Sequence, residues 1–153
     1  MEFESIQDIL EFAISKEQAS VQFYKDLASQ MSDQTTRSLF ETLVRNEQTH
    51  IESLRLEINK LGYTVKPEEQ APASVYLWEE RLELDDQARD MDFVDALVLA
   101  IQKERAAFRL YAQILGMTQN EQFAKILMEL AEEEMRHVLQ LEREYEVVTH
   151  RKD

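Results

Sequence analysis

Cysteine is absent from this chain, and glycine and proline occur only twice each. Without cysteine there is no disulfide, no thiolate metal site and no iron–sulfur cluster, and the chain suits a reducing compartment. Two Gly and two Pro are too few for a strand-and-turn architecture of 153 residues, so the expected fold is all-helical. No apolar run approaches the roughly 18 residues that span a bilayer. Residues 1–10 carry acidic groups and no apolar core, so no signal peptide is expected and the expected location is cytoplasmic. Positive charge is also scarce: 17 Lys and Arg face 31 Asp and Glu, for a formal net charge of −14. Nucleic acids and anionic membranes require a basic face, so neither is an expected partner. An acidic surface attracts cations, and it also keeps a helical protein in solution. The length bounds one domain with a single sizeable core.

What is present is helical periodicity. Ile6, Leu10, Ala13, Glu17, Ser20, Tyr24 and Leu27 recur at three- and four-residue steps, which predicts a first helix over residues 6–30. Ser32–Asp33 supplies a cap for a second helix reaching residue 61, with a seam of Phe40, Leu43, Glu47, His50, Leu54, Ile58 and Leu61. Gly62 is the expected C-terminal stop. Residues 62–90, with Pro67, Pro72 and the apolar Val75–Trp78 stretch, read as a long crossover carrying a short helix near 74–85. A connection of that length lets helices two and three run parallel. A third helix is expected over residues 93–115, with Leu97, Ala100, Ile101, Glu104, Phe108 and Tyr111 inward, then a turn at 116–120. The fourth is expected over residues 121–148, with a seam of Phe123, Leu127, Leu130, Glu134, His137, Leu141 and Tyr145. His150 falls in the charged tail that follows.

The two halves are copies. Residues 8–57 align without a gap onto 95–144 with 13 identities, among them Ala13/Ala100, Lys16/Lys103, Tyr24/Tyr111 and Leu54/Leu141. This is an internal duplication of a helical hairpin, hairpin 5–61 joined by crossover 62–90 to hairpin 91–148 within one domain.

The duplication carries one polar pattern twice. Adding 87 to Glu17, Glu47 and His50 gives Glu104, Glu134 and His137. In Glu-x-x-His the two side chains leave one helix face, and the lone Glu of the preceding helix adds a carboxylate. Four carboxylates and two imidazoles, one set from each half, are the ligands with which a four-helix bundle holds two metal ions. Carboxylate with imidazole suits iron, manganese or zinc, and the lack of Cys argues against structural zinc. Glu is common in this chain, so one Glu-x-x-His on its own means little. Position gives the pattern its weight: Leu43 and Leu54 bracket Glu47 and His50, and Leu130 and Leu141 bracket Glu134 and His137. Acids in an apolar seam repel one another unless paired or bound to cations. Two divalent cations match four carboxylates in charge, and so do two ferric ions with one oxo bridge.

Tyr24 and Tyr111 each fall seven residues after the lone Glu, two turns along the same face, where a hydroxyl can support a ligand carboxylate. An ordinary core tyrosine fits that spacing too. A second apolar stripe, Phe12, Ala19 and Phe23, repeats as Leu99, Ala106 and Leu110. The crossover's Leu77 and Trp78 are expected to cover one stripe and a second copy of the chain the other, which points to a homodimer.

Lys16-Glu17-Gln18-Ala19, Asn46-Glu47-Gln48-Thr49-His50, Lys103-Glu104-Arg105-Ala106 and Glu132-Glu133-Glu134-Met135-Arg136-His137, in that order around a crossover, resemble the ferritin-like superfamily and, within it, the rubrerythrin-like di-iron proteins. The resemblance covers nearly the full chain. It implies a ferritin-like four-helix bundle and a centre of two iron ions, with manganese or zinc as substitutes, reacting with hydrogen peroxide or dioxygen. By position, Glu17 and Glu104 resemble terminal or bridging ligands, Glu47 and Glu134 the bridging carboxylates, and His50 and His137 the caps of one iron each. Tyr24 matches a tyrosine found near such centres. Three departures qualify this. The further Glu that rubrerythrins carry one turn after the third-helix ligand is Ala107 here. The rubredoxin domain with its Cys ligands is missing, so the electron donor is expected to be a separate protein. The haem Met of bacterioferritin falls at Gln48, so no haem is expected. The expected function is therefore a peroxidase or ferroxidase of rubrerythrin-like type, and the alternative is a non-enzymatic iron, zinc or manganese binder.

Overall fold

The computed structural model describes residues 3–62 and 92–150. They form four helices: α1 Ile6–Gln30, α2 Gln34–Lys60, α3 Phe93–Met117 and α4 Glu121–His150. No strand occurs among the described residues. The short helix expected near 74–85 lies outside them. The chain divides into two compact units, each built on one hairpin, α1 with α2 and α3 with α4.

In the first hairpin, Ser5 caps α1 by accepting from the Asp8 amide at 3.1 Å. Asp8 also sits where the helix dipole is positive. After α1 only residues 31–33 turn the chain. The Arg37 guanidinium donates twice to the Met31 carbonyl, from Nε at 3.2 Å and Nη2 at 2.9 Å, which fastens the turn to α2. Asp33 starts α2 by accepting from the Thr36 amide at 3.2 Å, as the expected cap region requires. Gly62 ends it with φ +87°, a conformation that costs other residues a Cβ clash. Ile9, Ala13, Leu27, Phe40, Leu43 and Ile58 are fully or almost fully buried. Each large one among them contributes roughly 1.5–3 kcal/mol by leaving water. Leu61, expected in the seam, is 42% exposed because the chain leaves the helix there.

The second hairpin uses the same devices with different residues. Asp92 caps α3 through the Asp95 amide at 2.8 Å. The turn expected at 116–120 is shorter. Gly116 remains helical and α3 runs to Met117, because Thr118 closes the last turn: its amide donates to Leu115 O at 3.1 Å and its hydroxyl to Ile114 O at 2.7 Å. Asn120 Oδ1 then accepts from the Gln122 and Phe123 amides at 2.9 and 3.1 Å and opens α4. That helix continues to His150, two residues past the expected end and through the residue assigned to the tail. The Thr149 hydroxyl bonds back to Tyr145 O at 2.8 Å, and an imidazole suits the negative end of the dipole. Leu97, Ala100, Leu127 and Leu141 form the core, while Phe108, Phe123 and Tyr145, expected inward, are half-buried. Ala107 is buried beside Phe108.

The second apolar stripe is not left open. Phe12, Phe23 and Leu110 are buried within the chain itself, and Ala19, Leu99 and Ala106 are half-buried.

Candidate metal centre

Both hairpins place their acids by the same count. Glu17 stands 13 residues before Gln30, the end of α1, and Glu47 stands 13 after Gln34, the start of α2. Glu104 stands 13 before Met117, and Glu134 stands 13 after Glu121. At 1.5 Å per residue the two members of each pair climb about 20 Å from their turn, so antiparallel helices bring them level. The His three residues after the second Glu joins them on the facing side.

In the first hairpin one donor atom from each of Glu17, Glu47 and His50 lies within 4.8 Å of the other two. His50 Nδ1 is 3.4 Å from Glu17 Oε1. Glu17 and Glu47 are each 1% exposed, whereas the His50 side chain is 21% exposed and forms the open edge of the group. Metal bonds of about 2.0–2.2 Å put donors on one ion roughly 3–4 Å apart, so these atoms need to close by at most about 1–2 Å.

In the second hairpin His137 Nδ1 faces Glu104 Oε2 at 3.6 Å and Glu134 Oε2 at 3.8 Å. All three residues are buried. Burial alone would raise the Glu104 pKa, but hydrogen bonds from Glu134 and His137 and the charges of His137 and Lys103 outweigh it and hold the carboxyl at about 2.

Tyr24 and Tyr111 are wholly buried. Tyr24 stacks on Phe40 with ring centres 6.3 Å apart and meets Phe23 edge-on at 5.2 Å, so aromatic packing fixes its ring.

Three residues escaped the sequence reading. Glu133 Oε1 lies 3.3 Å from His137 Nε2, on the ring edge opposite the donor nitrogen. Lys16 and Lys103, each directly before a lone Glu, are only 4% and 3% exposed. Their repetition in both halves was the available sign. Lysine is almost never so buried unless its charge is matched, and the Lys103 charge acts on Glu104.

The residues fit a cation. Both Glu17 carboxylate oxygens are buried and accept no hydrogen bond among the described residues. An ionised carboxylate held that way costs several kcal/mol unless a counter-charge reaches it, and two further donors stand close enough to share one.

A family model described as Rubrerythrin matches residues 8–145. The chain belongs to the rubrerythrin family. No curated protein matches its sequence. Among solved structures it is similar to an uncharacterized conserved protein from Magnetospirillum magnetotacticum MS-1, with a TM-score of 0.72 and 19% identity over 93% of this chain and 94% of that one. It is also similar to a hypothetical protein from Pyrococcus furiosus, with a TM-score of 0.57 and 22% identity over 96% and 92%. Identities this low speak to the fold alone, which is all-α and ferritin-like. Rubrerythrins typically bind a pair of iron ions, and the Glu and His groups of this member are its candidate metal site. No helix among the described residues is long and apolar enough to cross a membrane.

Proposed function

We propose that this rubrerythrin is a di-iron redox protein, each hairpin supplying one Glu, Glu, His set: Glu17, Glu47 and His50 from the first, Glu104, Glu134 and His137 from the second. A ferrous pair would supply two electrons to hydrogen peroxide or dioxygen, the role of a peroxidase or ferroxidase. The observation that carries this reading is the buried Glu17 carboxylate, its oxygens without a hydrogen-bond donor, grouped with Glu47 and His50.

The chain's own residues have defined tasks. The carboxylates bind cations and favour the higher charge state. His50 and His137 present Nδ1 toward the carboxylates. Glu134 Oε2 stands 3.8 Å from the His137 Nδ1 that also faces Glu104, where it would share a cation with them. Buried aliphatic neighbours such as Leu43, Leu54, Leu130 and Leu141 keep bulk water away. His50, the more exposed imidazole, marks the side from which a small oxidant enters. Electrons return from a separate donor protein.

Anaerobic loading with ferrous iron followed by peroxide tests the reading. Two irons per chain, oxidised together far faster than free ferrous iron, is the expected result. Tight loading without faster oxidation would instead support a non-enzymatic iron, zinc or manganese binder, because the same donors accept all three metals. Failure to load overturns both.

A further inference from the structure

A cleft of about 540 Å³ opens on the first hairpin, with Lys25 of α1 and Arg37 and Arg45 of α2 around it. Glu41 alone among its lining residues is acidic, so a chain of net charge −14 keeps an excess of positive charge here. The three cations have no carboxylate partner among the described residues. Lys25 makes no ion pair or hydrogen bond there. Arg45 Nη2 donates to the Thr42 hydroxyl at 3.0 Å. The half-buried Arg37 donates Nε and Nη2 to the Met31 carbonyl, which holds its guanidinium in place and leaves Nη1 uncommitted. Lys25 and Arg45 are exposed at the rim, and the buried Ala28 and Val44 form the floor.

The duplicated half shows that the hairpin does not need these charges to fold. Adding 87 puts Ala112, Ala124 and Glu132 in place of Lys25, Arg37 and Arg45, and Met128 in place of Glu41. Helices α3 and α4 pack as a hairpin all the same. The bonds from Arg37 to Met31 have no counterpart at Ala124, and Thr118 and Asn120 fasten that turn instead. A half-buried guanidinium without a carboxylate is costly to hold. Three cations gathered where the scaffold requires none call for an anion from outside the chain.

We infer that this cleft binds a small phosphate-bearing molecule. A guanidinium presents paired N–H groups that match two phosphate oxygens, and an ammonium adds a point charge. The apolar floor suits the uncharged body of an organic phosphate, and small-molecule sites run to roughly 300–1,000 Å³. A nucleic acid is a poor occupant, because the acidic remainder of the chain repels a long polyanion. Glu41 opposes the anion by charge and keeps the hold modest. The inference stands apart from the di-iron reading: none of these residues is a proposed metal ligand, and metal-free protein tests it.

The test is isothermal titration calorimetry on the full chain with inorganic phosphate and with adenosine diphosphate as probes. Protein as isolated is compared with chelator-treated protein, since phosphate also binds metal ions. Binding that survives the chelator is expected, falling as salt shortens the Debye length to about 8 Å or less. Tighter binding of the diphosphate seats the organic body on the floor, and equal affinity assigns the cleft to the phosphate group alone; both support the inference. Replacing Lys25→Ala and Arg45→Ala together should weaken binding about tenfold or more. Lys125→Ala with Arg143→Ala, exposed positions on the second hairpin, should leave it unchanged. Glu41→Gln should tighten it by about threefold, an effect that a merely structural role for the cations would not produce. Lys25 and Arg45 are exposed, and circular dichroism checks that each variant is folded. Four outcomes overturn the inference: no binding of either probe after chelation, binding indifferent to the first pair, equal loss with the second pair, or no tightening with Glu41→Gln.

Discussion

His137 Nε2 lies 3.3 Å from Glu133 Oε1, which leaves Nδ1 pointed at Glu104 and Glu134. The corresponding residue for His50 is Asn46, which is exposed. A carboxylate behind an imidazole fixes its tautomer and raises its basicity. The two half-sites thus share their ligand types but differ in how each imidazole is held.

That difference predicts unequal affinities. Glu133→Gln should weaken metal binding at the second half-site by about 10–100-fold and leave the first unchanged. Competition titration against a chelator resolves the two steps. Loss of the Glu133 ion pair with exposed Arg136 contributes little, because surface pairs are worth about 0–1 kcal/mol. Equal weakening of both steps would contradict the asymmetry.

Replacing Glu17 should separate stability from loading. Glu17→Met removes a buried carboxylate that accepts no hydrogen bond and keeps the volume. The metal-free variant should gain about 1–4 kcal/mol, seen as a Tm rise of several degrees, while its capacity for metal at the first half-site falls. A lower Tm in metal-free protein would show that the Glu17 charge is already matched.

Ligand removal gives the sharpest stoichiometric outcome. Glu47→Ala or Glu134→Ala should abolish cooperative loading of two metals per chain. Retention of two, measured by mass spectrometry under native conditions or by elemental analysis, would displace these residues from the ligand set.

Acid should act on metal-free protein through Glu104. Its pKa is depressed from an ordinary 4.5 to about 2 in the fold, so the unfolded chain takes up the proton first. The stabilisation is fully present above about pH 4.5 and drains away as pH falls toward 2. Glu104→Gln should flatten that limb of the acid-unfolding profile. An unchanged profile would mean that the carboxyl titrates normally.

The helices were legible because apolar residues return every three or four positions, and because Asp33 and Gly62 are chemically suited to begin and end α2. Gly116 misled for the same reason: glycine reads as a stop, yet the hydroxyl of Thr118 and the amide oxygen of Asn120 set the real boundary. Periodicity also could not choose between neighbours such as Ala107 and Phe108, where a small residue took the inner place. At the site, the six ligand candidates were visible because acids interrupt an apolar seam. Glu133 was hidden inside a run of three glutamates, where only the ring position of His137 distinguishes one from the next. Lys16 and Lys103 were hidden because lysine reads as surface.

The equal arms of thirteen residues have a consequence for anyone rebuilding this scaffold. Depth is a free parameter. Adding seven residues, about two full turns, to both arms of a hairpin would carry its ligands roughly 10 Å further from the bend with their facing nearly preserved. Lengthening one arm alone would slide acid past imidazole and dissolve the grouping, however favourable each residue remained in its own helix.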